Sequence, residues 1–221
     1  GGRLHTERLK SLFFEGIEYI KNKAGQKHIN PLIAYYNGFI THYIVDGIFH
    51  YVIIEKAETP EEHTSLEVKL DAYFMKNIWD QEVIRKNPLN NISIGRKLPD
   101  YIEDFYRYIL MEVYNYNSDL EFIKKSYKDF KKALWIIYTP GYIKRMVLKS
   151  INHFLSWDIS KVMYPRETKT DILDKENKNE FDQILTRSVS IGESFINYIY
   201  NYLTYQIDKK QLENKINQIE G

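Results

Sequence analysis

Two trios of ionisable residues repeat at a spacing of four: His42, Asp46 and His50, then His63, Glu67 and Asp71. On a helix of 3.6 residues per turn the members of each trio lie one above another along a single face. A chain that uses both trios together must set two helices side by side and aim six ligand-type side chains at one place. The first trio lies in residues 39–54, where nearly every other position is hydrophobic, which predicts a helix buried on all sides. Buried carboxylates and imidazoles are costly unless paired, hydrogen-bonded or coordinating a metal. Metal coordination is the economical explanation.

The remaining punctuation is helical as well. Residues of about 6–23 carry Leu9, Leu12, Phe13, Ile17 and Ile20 as a 3.6-period stripe, with Gly25 placed for the C-cap. Asn30-Pro31 opens a helix to about residue 54, and the capping box Thr59-Pro60-Glu61-Glu62 opens another to about 77. Residues 80–97 read as a loop. Helices are expected from Leu98-Pro99 to about 114, from Ser118-Asp-Leu-Glu121 to about 138, and from Thr139-Pro140-Gly141 to about 157. A polar segment over 158–178 reads as a surface loop. The last strong helix shows Phe181, Ile184, Leu185, Ile191, Phe195 and Ile199 on one face, and the tail beyond Asp208 is expected to be solvated. No alternating strand pattern is present. The expected fold is all-α, a compact bundle of about six or seven helices in one domain spanning 1–221.

Composition narrows the function classes. At 221 residues the chain can bury a sizeable core, and 43% hydrophobic with 28% charged residues is the content of a folded protein. A net charge of +1, with Lys and Arg spread along the chain, argues against a nucleic-acid partner. No apolar run free of charge reaches the length of a transmembrane segment. The chain opens Gly1-Gly2 rather than on Met, which predicts a trimmed start. With no charged-then-apolar leader, the expected location is cytoplasmic.

Cysteine is absent, so a metal must be held by His, Asp or Glu. Zinc accepts imidazole nitrogens and carboxylate oxygens, and its catalytic sites keep a position open for water. His42 and Asp46, one turn apart, can serve one ion. His50 lies a turn further on, and His63 with Glu67 repeats the geometry, so a natural division gives a neighbouring ion His50, His63 and Glu67. Gly38 and Gly47 leave room beside these side chains. The bland alternative takes each His-x-x-x-acid as a helical i,i+4 pair, with Glu67 and Asp71 in solvent. Two stacked trios in so apolar a setting outweigh it. Of the other histidines, His5 reads as an exposed terminal residue, His28 as part of an exposed turn, and His153 as a core or surface residue. No Gly-x-Ser-x-Gly elbow, phosphate-cradling glycine loop, His-Glu-x-x-His or Glu-x-x-His pair occurs.

The run Tyr36-Asn-Gly-Phe-Ile-Thr-His42-Tyr-Ile-Val-Asp46-Gly-Ile-Phe-His50, followed by His63-Thr-Ser-Leu-Glu67, resembles the zinc-dependent phospholipase C family, in its clostridial-type branch. The resemblance extends from the first helix to the last. It implies an all-α bundle holding up to three zinc ions, related to the single-strand-specific zinc nucleases. It also implies the division above, with His5 joining His42 and Asp46. The sequence departs from the pattern in three ways. No residue before His5 supplies the family's N-terminal tryptophan, histidine and aspartate ligands, the Asp46 to His50 spacing is shorter, and Asp71 is extra. Asp71 is the candidate to replace one lost ligand.

The expected function is therefore that of a zinc-dependent phosphodiester hydrolase, with two ions and a third in question. A hydroxide held between zinc ions attacks a phospholipid or related phosphodiester, and Asp46 contacts that nucleophile. The alternative is a metal-binding helical protein with an incomplete site and no turnover. A zinc nuclease fits less well, since no aromatic and basic groove is evident.

Overall fold

Helix starts and stops in this chain follow the need to satisfy the unpaired backbone groups at helix ends. The computed structural model describes residues 8–82, 85, 87, 89–117, 119–138, 141–152 and 175–218. Among them no strand occurs. The helices in chain order are α1 (Leu9–Asn22), α2 (Ile29–Lys56), α3 (Pro60–Trp79), the single turn α4 (Leu89–Ile92), α5 (Asp100–Tyr114), α6 (Leu120–Ile137), α7 (Tyr142–Asn152), α8 (Lys175–Leu203) and α9 (Lys209–Asn217). The all-α expectation holds. Among the described residues no helix is long and apolar enough to cross a membrane.

The capping box predicted at Thr59 forms, whereas Asn30 lies inside α2, whose first residue is Ile29, and the C-cap of α1 is Lys23 rather than Gly25. The Thr59 hydroxyl accepts from the Glu62 N–H at 3.2 Å, while the Glu62 carboxylate accepts from the N–H groups of Thr59 at 3.1 Å and Glu58 at 2.9 Å. Asp119 starts α6 by accepting from the Phe122 N–H at 2.6 Å. Past the end of α1, Gly25 takes φ +83°, a left-handed conformation that glycine adopts without strain. The bounds of α2, α3, α5 and α6 agree with expectation to within a turn, the expected end of α7 near 157 lies outside the described residues, and the segment expected as a loop over 80–97 contains the single turn α4.

The far end of the chain departs from expectation. The tail beyond Asp208 is not solvated throughout: Asp208 and Gln211 form a second capping box, at 2.8 and 2.9 Å, and α9 buries Leu212 and Ile216. Two apolar residues spaced by four among four charges are a stripe too thin to stand out from composition. The expected loop over 158–178 is also shortened, because α8 already begins at Lys175. Residues 158–174 and His153 lie outside the described residues.

The chain divides into two compact units: Gly1–Phe49 with Leu98–Lys125 and Gln183–Gly221, and His50–Lys97 with Ser126–Asp182. The first has a continuous apolar core. Leu12, Phe13, Ile17 and Ile20 of α1 pack with Tyr36, Ile40 and Ile44 of α2, Phe105 and Ile109 of α5, and Phe195 and Ile199 of α8. Each such side chain contributes about 1.5–3 kcal/mol on burial. Tyr36 is fully enclosed and donates its hydroxyl proton to the Phe13 carbonyl at 2.6 Å. A Cβ on Gly16 would stand 2.5 Å from the Tyr36 ring, so the α1–α2 approach requires glycine there. The Arg8 guanidinium donates to the Val113 carbonyl at 2.6 Å, satisfying a carbonyl in the last turn of α5.

The core also corrects the expectation that α2 is buried on all sides. Leu32, Tyr36, Ile40, Tyr43 and Ile44 form one buried stripe, whereas His42, Gly47, His50, Tyr51 and Ile54 are exposed. The core residues cover one face of α2 and leave the ligand stripe accessible to solvent. The premise that its polar groups need a metal because they are desolvated therefore falls, and the case for a site rests on convergence instead.

The second unit buries Ile53, Leu70, Ala72, Tyr73 and Phe181. Around them Tyr73 donates to the Asp182 carboxylate at 3.0 Å, and Lys56 pairs with Glu180 at 2.7 Å. Tyr127 and Lys131 both donate to the Gly95 carbonyl, at 2.9 and 3.0 Å.

Candidate metal centre

Because the capping box starts α3 at Pro60, His63 and Glu67 fall in its first two turns, one above the other. The His63 Nε2 and Glu67 Oε1 atoms stand 3.2 Å apart. From the last third of α2, His50 brings its ring edge-on to that of His63, with centroids 4.5 Å apart and planes at 66°. One ligand atom from each of His50, His63 and Glu67 lies within 4.8 Å of the others. All three belong to the second unit. Among the described residues this is the one group of three or more potential ligands.

The donor set fits zinc. Two ligands each about 2.0–2.1 Å from a tetrahedral ion stand about 3.3 Å from one another, and the His63–Glu67 separation is 3.2 Å. Two imidazole nitrogens and one carboxylate oxygen leave a fourth position open, the arrangement of catalytic zinc. His50 is exposed and the other two are half-buried, so solvent reaches the group. The same 3.2 Å contact also serves as an i,i+4 hydrogen bond when His63 carries its proton on Nε2. That bond accounts for two of the three residues and not for the approach of His50.

The other candidate ligands take different positions. His42 and Asp46 lie one turn apart on α2 within the first unit, His42 exposed and Asp46 half-buried. The positions of Gly38 and Gly47 face open space, where an added Cβ meets nothing within 4 Å, which is the room expected beside the ligand stripe. Asp71, one turn beyond Glu67, is exposed and is not a member of the group of three. His5 lies outside the described residues. His28 is exposed as expected and stacks on Tyr101, with ring centroids 5.2 Å apart.

One buried acid escaped the sequence reading. Glu103 of α5 is almost fully enclosed, with Oε2 3.6 Å from the Lys124 ammonium and Oε1 lacking a hydrogen-bond partner. Its neighbours Ile102 and Phe105 define a core stripe in the sequence, and only its position beside Ile102 hinted at enclosure.

A family model described as zinc-dependent phospholipase C matches residues 2–137, a span that contains every candidate ligand named above. Comparison with curated proteins and with solved structures finds no match.

Proposed function

The chain belongs to the zinc-dependent phospholipase C family, and from that premise we propose that it hydrolyses a phosphodiester bond in a phospholipid or related substrate, using zinc held by His50, His63 and Glu67. The observation that carries this reading is the convergence of two imidazoles and a carboxylate from two helices. Bound there, zinc supplies a Lewis acid for phosphoryl oxygens and lowers the pKa of water at its open position. His50 and His63 must present unprotonated nitrogens to hold it, and the two turns of α3 fix the carboxylate of Glu67 beside them. We assign a second ion to His42 and Asp46, with His5 completing the set, and keep Asp71 as a further candidate carboxylate ligand. Asp46 is also the carboxylate assigned to orient the attacking water by accepting its hydrogen bond.

The test is substitution of one ligand outside α2. His63→Ala is expected to lower the zinc content of the purified chain and to abolish hydrolysis of a chromogenic phosphodiester. Unchanged zinc content and rate would contradict the assignment. A second reading, a metal-binding helical protein without turnover, draws on the same three-ligand group, which can hold an ion as a staple between α2 and α3. It predicts zinc-dependent stability with no hydrolysis of any phosphodiester.

A further inference from the structure

We propose that α7 and the end of α6 form a surface that docks the protein on anionic phospholipid membranes. α7 presents an apolar face outward. Ile143, Met146 and Val147, spaced i, i+3 and i+4, share one side of the helix and are 78%, 51% and 50% exposed. Trp135, near the end of α6, is 58% exposed. The two helices are tied together at this point. The Lys144 ammonium donates to the carbonyls of Trp135 and of Tyr138, the latter at 2.7 Å, and lies 3.9 Å from the centre of the Trp135 ring. This clasp places the start of α7 beside the indole, within the second unit that also holds His50, His63 and Glu67.

Charge indicates what such a face meets. Residues 127–152 carry six cations against one acid, Asp129, although the whole chain carries only +1; Lys131 and Lys144 are engaged with carbonyls and Arg145 is half-buried, which leaves Lys128, Lys132 and Lys149 exposed. An amphipathic helix with exposed aliphatic residues, flanking cations and a tryptophan matches the interface of an anionic bilayer, where apolar side chains enter the acyl boundary and cations meet the headgroups. A partner protein would be offered the same apolar face, but it gives no reason for so local an excess of cations. No described helix can cross a membrane, so the contact is interfacial. The proposal rests on the reading above for the lipid nature of the substrate.

The experiment uses the full chain with zinc and two sedimentable vesicles, phosphatidylcholine alone and phosphatidylcholine with phosphatidylglycerol. The wild type is expected to co-sediment with the anionic vesicles and to be released by raised salt. The triple variant Ile143→Ser, Met146→Ser, Val147→Ser should bind about tenfold or more weakly with unchanged helical circular dichroism. Lys149→Glu should selectively lose binding to the anionic vesicles. Equal vesicle binding by wild type and triple variant, or a wild-type dimer that the triple variant splits without any vesicle binding, would overturn the proposal. Hydrolysis of a short-chain, monomeric phospholipid separates the two claims. The triple variant should hydrolyse it at the wild-type rate. Vesicle binding that needs the α7 face, with no hydrolysis by either protein, defeats the proposed function and leaves docking. Hydrolysis by both, with vesicle binding indifferent to the face, does the reverse.

Discussion

Glu67 and His63 make contact whether or not an ion lies between them, so the two states differ in which atom carries the proton. When His63 Nε2 carries the proton it donates to the carboxylate, and when it does not, both atoms would be placed to take a shared zinc. Glu67→Gln keeps the shape and removes the charge, and it should lower zinc affinity at least about tenfold, as measured by competition with a chromogenic chelator. Acid should displace the metal as well, because protons compete for the same imidazole nitrogens. A different acid makes a different residue-scale test. Glu103 is buried beside the half-exposed Lys124, so Lys124→Met should destabilise the chain by about 1–3 kcal/mol in urea unfolding, through the uncompensated carboxylate it leaves. The double variant with Glu103→Met should recover most of that loss. Residue identity and spacing were enough to single out His50, His63 and Glu67. Spacing alone would have kept Asp71 beside them, because a spacing of four gives the face of a helix and not which of its turns meets a neighbour; the family pattern is what marked Asp71 as extra.

Among the elements, the start of α3 was legible because a capping box is local: four consecutive residues satisfy one another's backbone, whatever the rest of the chain does. α2 was misjudged for the opposite reason. Its apolar sequence is compatible with burial everywhere, and only the neighbouring helices decide that Tyr36, Ile40 and Ile44 are covered while Tyr51 and Ile54 are not. α9 was missed because its tertiary contribution is carried by Leu212 and Ile216 alone. Leu212→Ala should therefore cost about 2–5 kcal/mol, a value a solvated tail would never show. Two glycine substitutions should act in opposite directions. Gly16→Ala forces a methyl against the enclosed, hydrogen-bonded Tyr36 ring and should destabilise by about 1–3 kcal/mol. Gly47→Ala meets open space within a helix and should stabilise by about 0.5–1 kcal/mol, as read from the urea midpoint. If the open space beside α2 receives substrate, that same variant should lose turnover while gaining stability.

At the scale of the whole molecule, the helical class and the near-neutral charge could be read directly, whereas the division into two units could not, since no linker or shift in composition marks it. The abundance of tyrosine has a global consequence. Burial first, then the hydrogen bond to the Glu15 carboxylate, pushes the Tyr108 hydroxyl up to about 12. Tyr36, Tyr43, Tyr106 and Tyr202 are raised too, by burial in each case before any other cause. A raised folded-state pKa means that the native state holds the proton more tightly than the unfolded chain, whose tyrosines titrate near about 10. Stability from these groups is complete below that pH and is lost as pH rises from about 10 through 12 and beyond. Urea midpoints should accordingly hold steady up to about pH 10 and then fall, with tyrosinate absorbance appearing together with unfolding. Zinc acts on the same balance, because an ion that binds only the folded chain stabilises it by mass action. A chelator should lower the melting temperature of the wild type by more than that of His63→Ala.

The roles assigned to His50, His63 and Glu67 all require a cation among them. Anomalous scattering measured on either side of the zinc absorption edge, on crystals of the full chain grown with zinc, tests that requirement most directly. The predicted result is a peak about 2.0–2.2 Å from a nitrogen of each imidazole and an oxygen of the carboxylate. An absence of signal there, with His63 hydrogen-bonded to Glu67 and His50 turned away, would contradict it.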